Sequence, residues 1–285
     1  MKLYLRITRP INLVLTAVTQ CLFYLSASRV NAGFSNFDFS NIRLPEAITS
    51  TLACIFIASG GYVINDIFDK ETDAVNKPKK QIAHSQIKSP NLYIFYIILS
   101  VVGLILGFVT GLGMGILCLS IAVLLYFYSS DFKGEFLMGN LLVSLLAGMV
   151  VYIASRGVFE VSKAYFAEYA SIAFFITFAR ELVKDLEDME GDKVQGFTTF
   201  AITSGAKYTK LLAAFMLIAG ILILGLIYIH SQQFMFLVCA LSISIPFAVA
   251  ILSKLKKAQT SQEYHRISNH LKQLMFLGLL TSLFC

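Results

Sequence analysis

The chain has no tryptophan, only five prolines and five cysteines, and few charges: 14% of its 285 residues are Asp, Glu, Lys or Arg. Soluble domains carry about 25% charged residues, so this shortage excludes an ordinary soluble fold. With 57% hydrophobic residues and a mean hydropathy of +0.73, the composition predicts an all-α integral membrane protein. No segment is polar enough for a separate soluble domain, which leaves one membrane domain over 1–285. The cysteines (Cys21, Cys54, Cys118, Cys239, Cys285) stand singly in apolar stretches with no C-x-x-C, so they read as packing residues. The net charge of +6 is modest, and no basic run is long enough to suggest nucleic acid. Without Trp, Tyr and Phe must form the interfacial belt alone.

Long apolar runs are present instead. They predict helices near 11–29, 45–64, 91–111, 113–130, 137–156, 166–184, 207–229, 233–253 and 271–285, against about 20 residues needed to cross the hydrocarbon. The first follows Lys2, Arg6 and Arg9 and is too long for a cleaved signal segment, so it reads as a span. Pro45 and Pro90 suit first-turn positions, Pro246 should kink the eighth run, and Gly60 and Gly61 should admit a neighbouring helix. With nine spans, all but four (Arg29, Arg43, Arg156, Lys163) of the 23 Lys and Arg fall on one side. The positive-inside rule makes that side cytoplasmic, with the amino terminus there and the carboxyl end outside.

Six of the few acids are arranged in a pattern. Asp66, Asp69 and Asp73 in NDIFDKETD repeat the spacing of Asp185, Asp188 and Asp192 in KDLEDMEGD, each set after an apolar run. On a helix, offsets of three and seven keep three carboxylates within about 60° of one face. Six like charges repel unless cations lie among them, and the layout puts both sets on the cytoplasmic side. The pattern therefore suggests a Mg²⁺ site that holds a polyanion such as diphosphate at the membrane edge. Asn65 adds a neutral oxygen, and Lys77, Lys79, Lys80, Lys133, Arg180 and Lys184 are cations near one or other motif. A diphosphate leaving group attached to a greasy chain fits such a place. An allylic prenyl diphosphate would lose diphosphate to give a delocalised cation, which aromatic faces can shield.

The motif NDxxDxxxD at 65–73, N-K-P-x-K at 76–80 and the second D-x-x-x-D at 188–192 resemble the UbiA superfamily of intramembrane prenyltransferases. RPINL at 9–13, Y-x-Y-S…K at 126–133, Gly139-Asn140 and the stretch 180–192 match as well, so the resemblance runs nearly end to end. The form of 180–192 is most similar to the digeranylgeranylglyceryl phosphate synthase-like branch, which joins a geranylgeranyl group to geranylgeranylglyceryl phosphate. The resemblance implies nine transmembrane helices around a central cavity, with the two acid motifs facing each other under a cytoplasmic cap. It implies that Asn65, Asp66, Asp69 and Asp73 hold one Mg²⁺ and that Asp188 and Asp192 hold the other. Asp185 is extra to the plain motif, for assisting the metal or steering the acceptor. Lys133 would touch diphosphate. Lys77 and Lys80 stand where relatives usually carry arginine, giving a point charge in place of a fork. A glyceryl-ether phosphate acceptor needs further cations, for which Arg180, Lys184 and Arg9 are candidates.

Plainer roles stand beside these. Lys77, Lys79 and Lys80 suit positive-inside anchors, Arg180 suits a pair with Glu181 or Asp185, and Arg9 suits a marker of the lipid interface. Tyr126 and Tyr128 suit the aromatic belt. The rival functions are prenylation of a quinone precursor, a cation-coupled secondary transporter, and an idle prenyl-lipid scaffold. Transport sites lie nearer the bilayer midplane, at broken helices.

Overall fold

A computed structural model describes residues 2–28, 39–70, 89–159 and 163–284. Over the described residues the nine expected apolar runs fall largely in helical segments, the eighth in three successive ones, and no strand ladder occurs. Two compact units are present, Met1–Gln20 with Arg43–Lys133 and Cys21–Ile42 with Gly134–Cys285.

In the first unit, α1 (Lys2–Ile7) leads into α2 (Pro10–Ala27), whose later turns belong to the second unit. It then contains α3 (Leu44–Phe68), α4 (Ser89–Thr110) and α5 (Leu112–Ser130). Pro45 stands in the first turn of α3, where its missing N–H is no loss. The expected close approach at Gly60 and Gly61 is present: an added Cβ would meet Ser100 Oγ of α4 at 2.8 Å and Leu125 Cδ1 of α5 at 2.8 Å. Absent side chains thus draw three helices together where packing, not apolarity, drives association. Ile7, Val63, Leu92 and Leu99 form a small core that pins α1 to α3 and α4.

In the second unit, α6 (Met138–Ile153), α7 (Lys163–Val194) and α8 (Phe200–Ser231) are followed by α9 (Phe234–Cys239), α10 (Ile245–Lys257) and α11 (Ser261–Thr281). Phe166, Leu182, Leu217, Ile251 and Leu271 join these helices in one apolar core. Pro246 of the eighth run stands in the first turn of α10. A π-helical turn, Ala240–Ser244, precedes it, and the Ile245 N–H reaches Ala240 O across the widened turn. Gly205 has φ +80°, a left-handed conformation that breaks α8 near its start.

Seven of these helical segments are long and apolar enough to cross a membrane, among the described residues. Helices α7 and α11 are outside that set, because charged and polar side chains break up every full-length apolar stretch within them. The fold is that of an integral membrane protein.

Candidate active site

The first acid set sits where α3 ends. Asp66 is in its last turn, Asp69 is its C-cap, and both are buried at 5% and 7% exposure. The carbonyl end of a helix carries partial negative charge, so carboxylates are disfavoured there by about 0.3–1 kcal/mol each. Burial adds a desolvation cost that only cations or hydrogen bonds offset. Both are supplied. Arg9 Nη2 donates to Asp66 Oδ1 at 3.0 Å, Lys133 Nζ donates to Asp69 Oδ2, and Asn65 Nδ2 donates to Asp69 Oδ2 at 2.7 Å. Arg9 also stacks 5.0 Å from the centre of the Tyr62 ring, one helical turn before Asp66. Its own φ is +51°, a left-handed conformation at the junction of α1 and α2 that costs a non-glycine residue some strain. Lys133 lies in a 3-10 turn just past α5. Asp73, Lys77, Lys79 and Lys80 lie outside the described residues.

The second acid set lies wholly on one helix. Because α7 continues to Val194, Asp185, Asp188 and Asp192 share one face of it. Asn140, buried in the first turn of α6, donates from Nδ2 to Asp185 Oδ2 at 2.8 Å. Asp188 is exposed and Asp192 half-buried. One to two turns earlier, Glu181 accepts from Arg180 Nη1 at 2.7 Å and from Lys184 Nζ at 2.7 Å. The plain reading of Arg180 as a partner of Glu181 thus holds geometrically. Glu187, between the acids, is bonded to His265 Nδ1 of α11 at 2.8 Å.

Two side chains at this site were not among the sequence candidates. Asn140 was noted only within a matching Gly-Asn pair, and its partner lies 45 residues away. Glu181 enters the sequence reading only as a partner for Arg180; its buried position between two cations marks it out.

The donors suit Mg²⁺. Asp66, Asp69 and the Oδ1 of Asn65 are all hard oxygens at one helix end, with no sulfur or imidazole among them. No three His, Cys, Asp or Glu side chains converge as a ready-made cage among the described residues. Mg²⁺ needs no such cage, since it keeps several waters and shares substrate phosphates with one or two carboxylates.

A family model, that of the UbiA prenyltransferase family, matches residues 32–279. A digeranylgeranylglyceryl phosphate synthase of Methanothermobacter thermautotrophicus is 34% identical over 279 residues, covering 96% of this chain and 92% of the relative. A solved structure concerned with digeranylgeranylglyceryl phosphate synthase in membranes superposes with a TM-score of 0.80 at 26% identity, covering 99% of this chain and 96% of that one. A UbiA homologue from Archaeoglobus fulgidus, solved with GPP and Mg²⁺, shares the fold at a TM-score of 0.67 and 17% identity, over 98% of this chain and 99% of that one.

Proposed function

Because this chain belongs to the UbiA prenyltransferase family, we propose that it transfers a geranylgeranyl group from geranylgeranyl diphosphate to a glycerol ether phosphate, with Mg²⁺ as cofactor. That it is a prenyltransferase follows from the family, which leaves no room for the transporter and scaffold readings. The substrate pair is inferred. It is supported by the relative's name, by its 34% identity over nearly the whole of both chains, and by a further digeranylgeranylglyceryl phosphate synthase, of Sulfolobus acidocaldarius, at 36% identity over 222 residues.

In this reading, Asn65, Asp66, Asp69 and Asp73 hold one Mg²⁺, and Asp188 and Asp192, helped by Asp185, hold another. When bound, the metal supplies positive charge against the diphosphate oxygens and so stabilises the leaving group. Lys133 adds a point charge that Asp69 already orients. Lys77 and Lys80 are assigned the same duty, and Arg9, Arg180 and Lys184 serve substrate phosphates. The allylic C–O bond to diphosphate breaks, and the acceptor hydroxyl oxygen bonds to the freed carbon. The hydroxyl proton goes to a carboxylate or to the released diphosphate. No dedicated general base is required, because an allylic cation is reactive enough to take a hydroxyl before full deprotonation. All nine helical runs cross the bilayer in this proposal, as one membrane domain with the amino terminus and both acid sets on the cytoplasmic side. The distribution of Lys and Arg supports that orientation.

The single observation that carries the reading is the pair of buried carboxylates, Asp66 and Asp69, at the end of α3, each on a cation. The test is to incubate purified protein with Mg²⁺, labelled geranylgeranyl diphosphate and a panel of acceptors, then identify the lipid by mass spectrometry. A doubly prenylated glycerol ether phosphate is the expected product. A prenylated quinone precursor with no ether lipid would overturn the acceptor assignment.

A further inference from the structure

Arg180 and Lys184 stand four residues apart on α7 and leave the same side of that helix. Glu181 lies between them, is 8% exposed, and accepts one 2.7 Å bond from each. Asp185, next to Lys184, adds a second carboxylate, which Asn140 Nδ2 already engages at 2.8 Å. Arg180 Nε is buried and has no hydrogen-bond partner among the described residues. Buried donors nearly always have an acceptor, so this Nε, beside a lysine whose side chain is 37% exposed, is a donor still unmet in the substrate-free protein. Lys184 has three N–H donors and uses one on Glu181.

We propose that Arg180 and Lys184 form the binding site for the phosphate of a phosphorylated lipid acceptor, and that Glu181 is the resident carboxylate that the phosphate must compete with for those cations. This rests on the acceptor reading above and adds how the acceptor is selected. A dianionic phosphate offers three oxygens and a fork-matching edge to Arg180, and so outcompetes a single carboxylate. A neutral hydroxyl or phenol offers neither and leaves Glu181 in place. Lys184 is 37% exposed at its side chain and Arg180 27%, so a phosphate reaches the pair from the solvent side and can take over one of the two cations while Glu181 keeps the other, which spares the buried carboxylate from being left unpaired. Lys184 precedes Asp188 by one helical turn, about 6 Å of rise. A phosphate held there is within a glycerol backbone's length of the second acid set.

The test is made on the full chain in detergent. In Mg²⁺-free buffer, where the metal-dependent sites do not compete, inorganic phosphate is titrated and binding read by calorimetry. Glu181→Gln, an isosteric change that removes the resident charge, should bind phosphate about tenfold tighter or more than the wild type. Glu181→Asp, which keeps the charge, should not. Unchanged or weaker binding in Glu181→Gln would overturn the proposal, because Glu181 would then be shaping the cations and not occupying them. Should Glu181→Gln fail to fold, the wild type decides. Geranylgeranylglyceryl phosphate should be used at least about a hundredfold better in kcat/KM than its dephosphorylated alcohol, and equal use would overturn the proposal. Mg²⁺-dependent transfer of label from geranylgeranyl diphosphate to any member of the acceptor panel by the wild type reports separately on the donor reaction. Transfer to a quinone precursor alone would sink the acceptor reading, whereas phosphate binding that Glu181→Gln leaves unchanged would sink this one.

Discussion

Arg9 Nη2 lies 3.0 Å from Asp66 Oδ1, across 57 residues of chain, with its guanidinium stacked on Tyr62. A permanent cation thus rests on a carboxylate assigned to Mg²⁺. Under that assignment the two cations would compete for Asp66 in the absence of substrate. Arg9→Gln should therefore tighten Mg²⁺ binding by the substrate-free protein several-fold, read as the Mg²⁺ concentration that half-saturates a thermal shift. It should at the same time weaken turnover, because a phosphate-binding charge is lost. Weaker Mg²⁺ binding in this variant would mean that Arg9 shapes the site and does not compete for it.

Lys133 and Asn65 both reach Oδ2 of Asp69. Lys133→Met keeps the bulk of the stem and removes the charge. Its kcat/KM for prenyl diphosphate should fall by about 10²-fold or more, in the range lost when one preorganised electrostatic donor is removed. Steady-state kinetics at saturating Mg²⁺ checks this, and a change of under twofold would remove Lys133 from the site.

Asn140 holds Asp185 at 2.8 Å and is itself 6% exposed. Asn140→Ala leaves the Asp185 oxygen without this donor, at a cost of about 1–3 kcal/mol in a buried setting. Thermal unfolding in detergent should show the loss. Asn140→Asp should be worse, since it sets two acids side by side.

Gly148 of α6 lies against the backbone of α7, where an added Cβ would stand 2.8 Å from Ala170 O. Gly148→Ala should destabilise by about 1–3 kcal/mol, because a carbonyl cannot yield as a side chain can. Gly225, in α8, meets nothing within 4 Å. Gly225→Ala should be neutral or stabilise by up to about 1 kcal/mol. Equal effects in the two variants would contradict the close approach of α6 and α7.

Much of the fold was legible because hydropathy marks membrane helices directly. It marks their apolar parts and not their ends. The sixth run was read as 166–184, yet the helix extends over Lys163–Val194. Its last turns carry the acids, and a polar turn is as helical as an apolar one once nucleated. The last run was placed at 271–285, whereas α11 spans Ser261–Thr281. The sequence carries the signal for that earlier start: Thr260 and Glu263 form a capping box, with Glu263 N–H on Thr260 Oγ1 and the Glu263 carboxylate on the Thr260 N–H. The short α1 has too few residues for any periodicity to show.

At the site, residue types were legible and partners were not. The spacing of the aspartates named the acids, since period alone carries that information. Which cation meets which acid depends on contacts such as Lys133 to Asp69, 64 residues apart, which local pattern does not encode. Arg180 and Glu181 are neighbours, so their pair was among the alternatives read from sequence. The burial that makes Glu181 unusual needed the packed structure.

The central claim is that Asp66 and Asp188 are each required for prenyl transfer, and its most direct test measures Mg²⁺-dependent prenyl transfer in wild type, Asp66→Asn and Asp188→Asn. Each variant is first shown to be folded and membrane-inserted. Loss of nearly all turnover in both variants is the predicted result. Retention of most activity in either one would contradict the account.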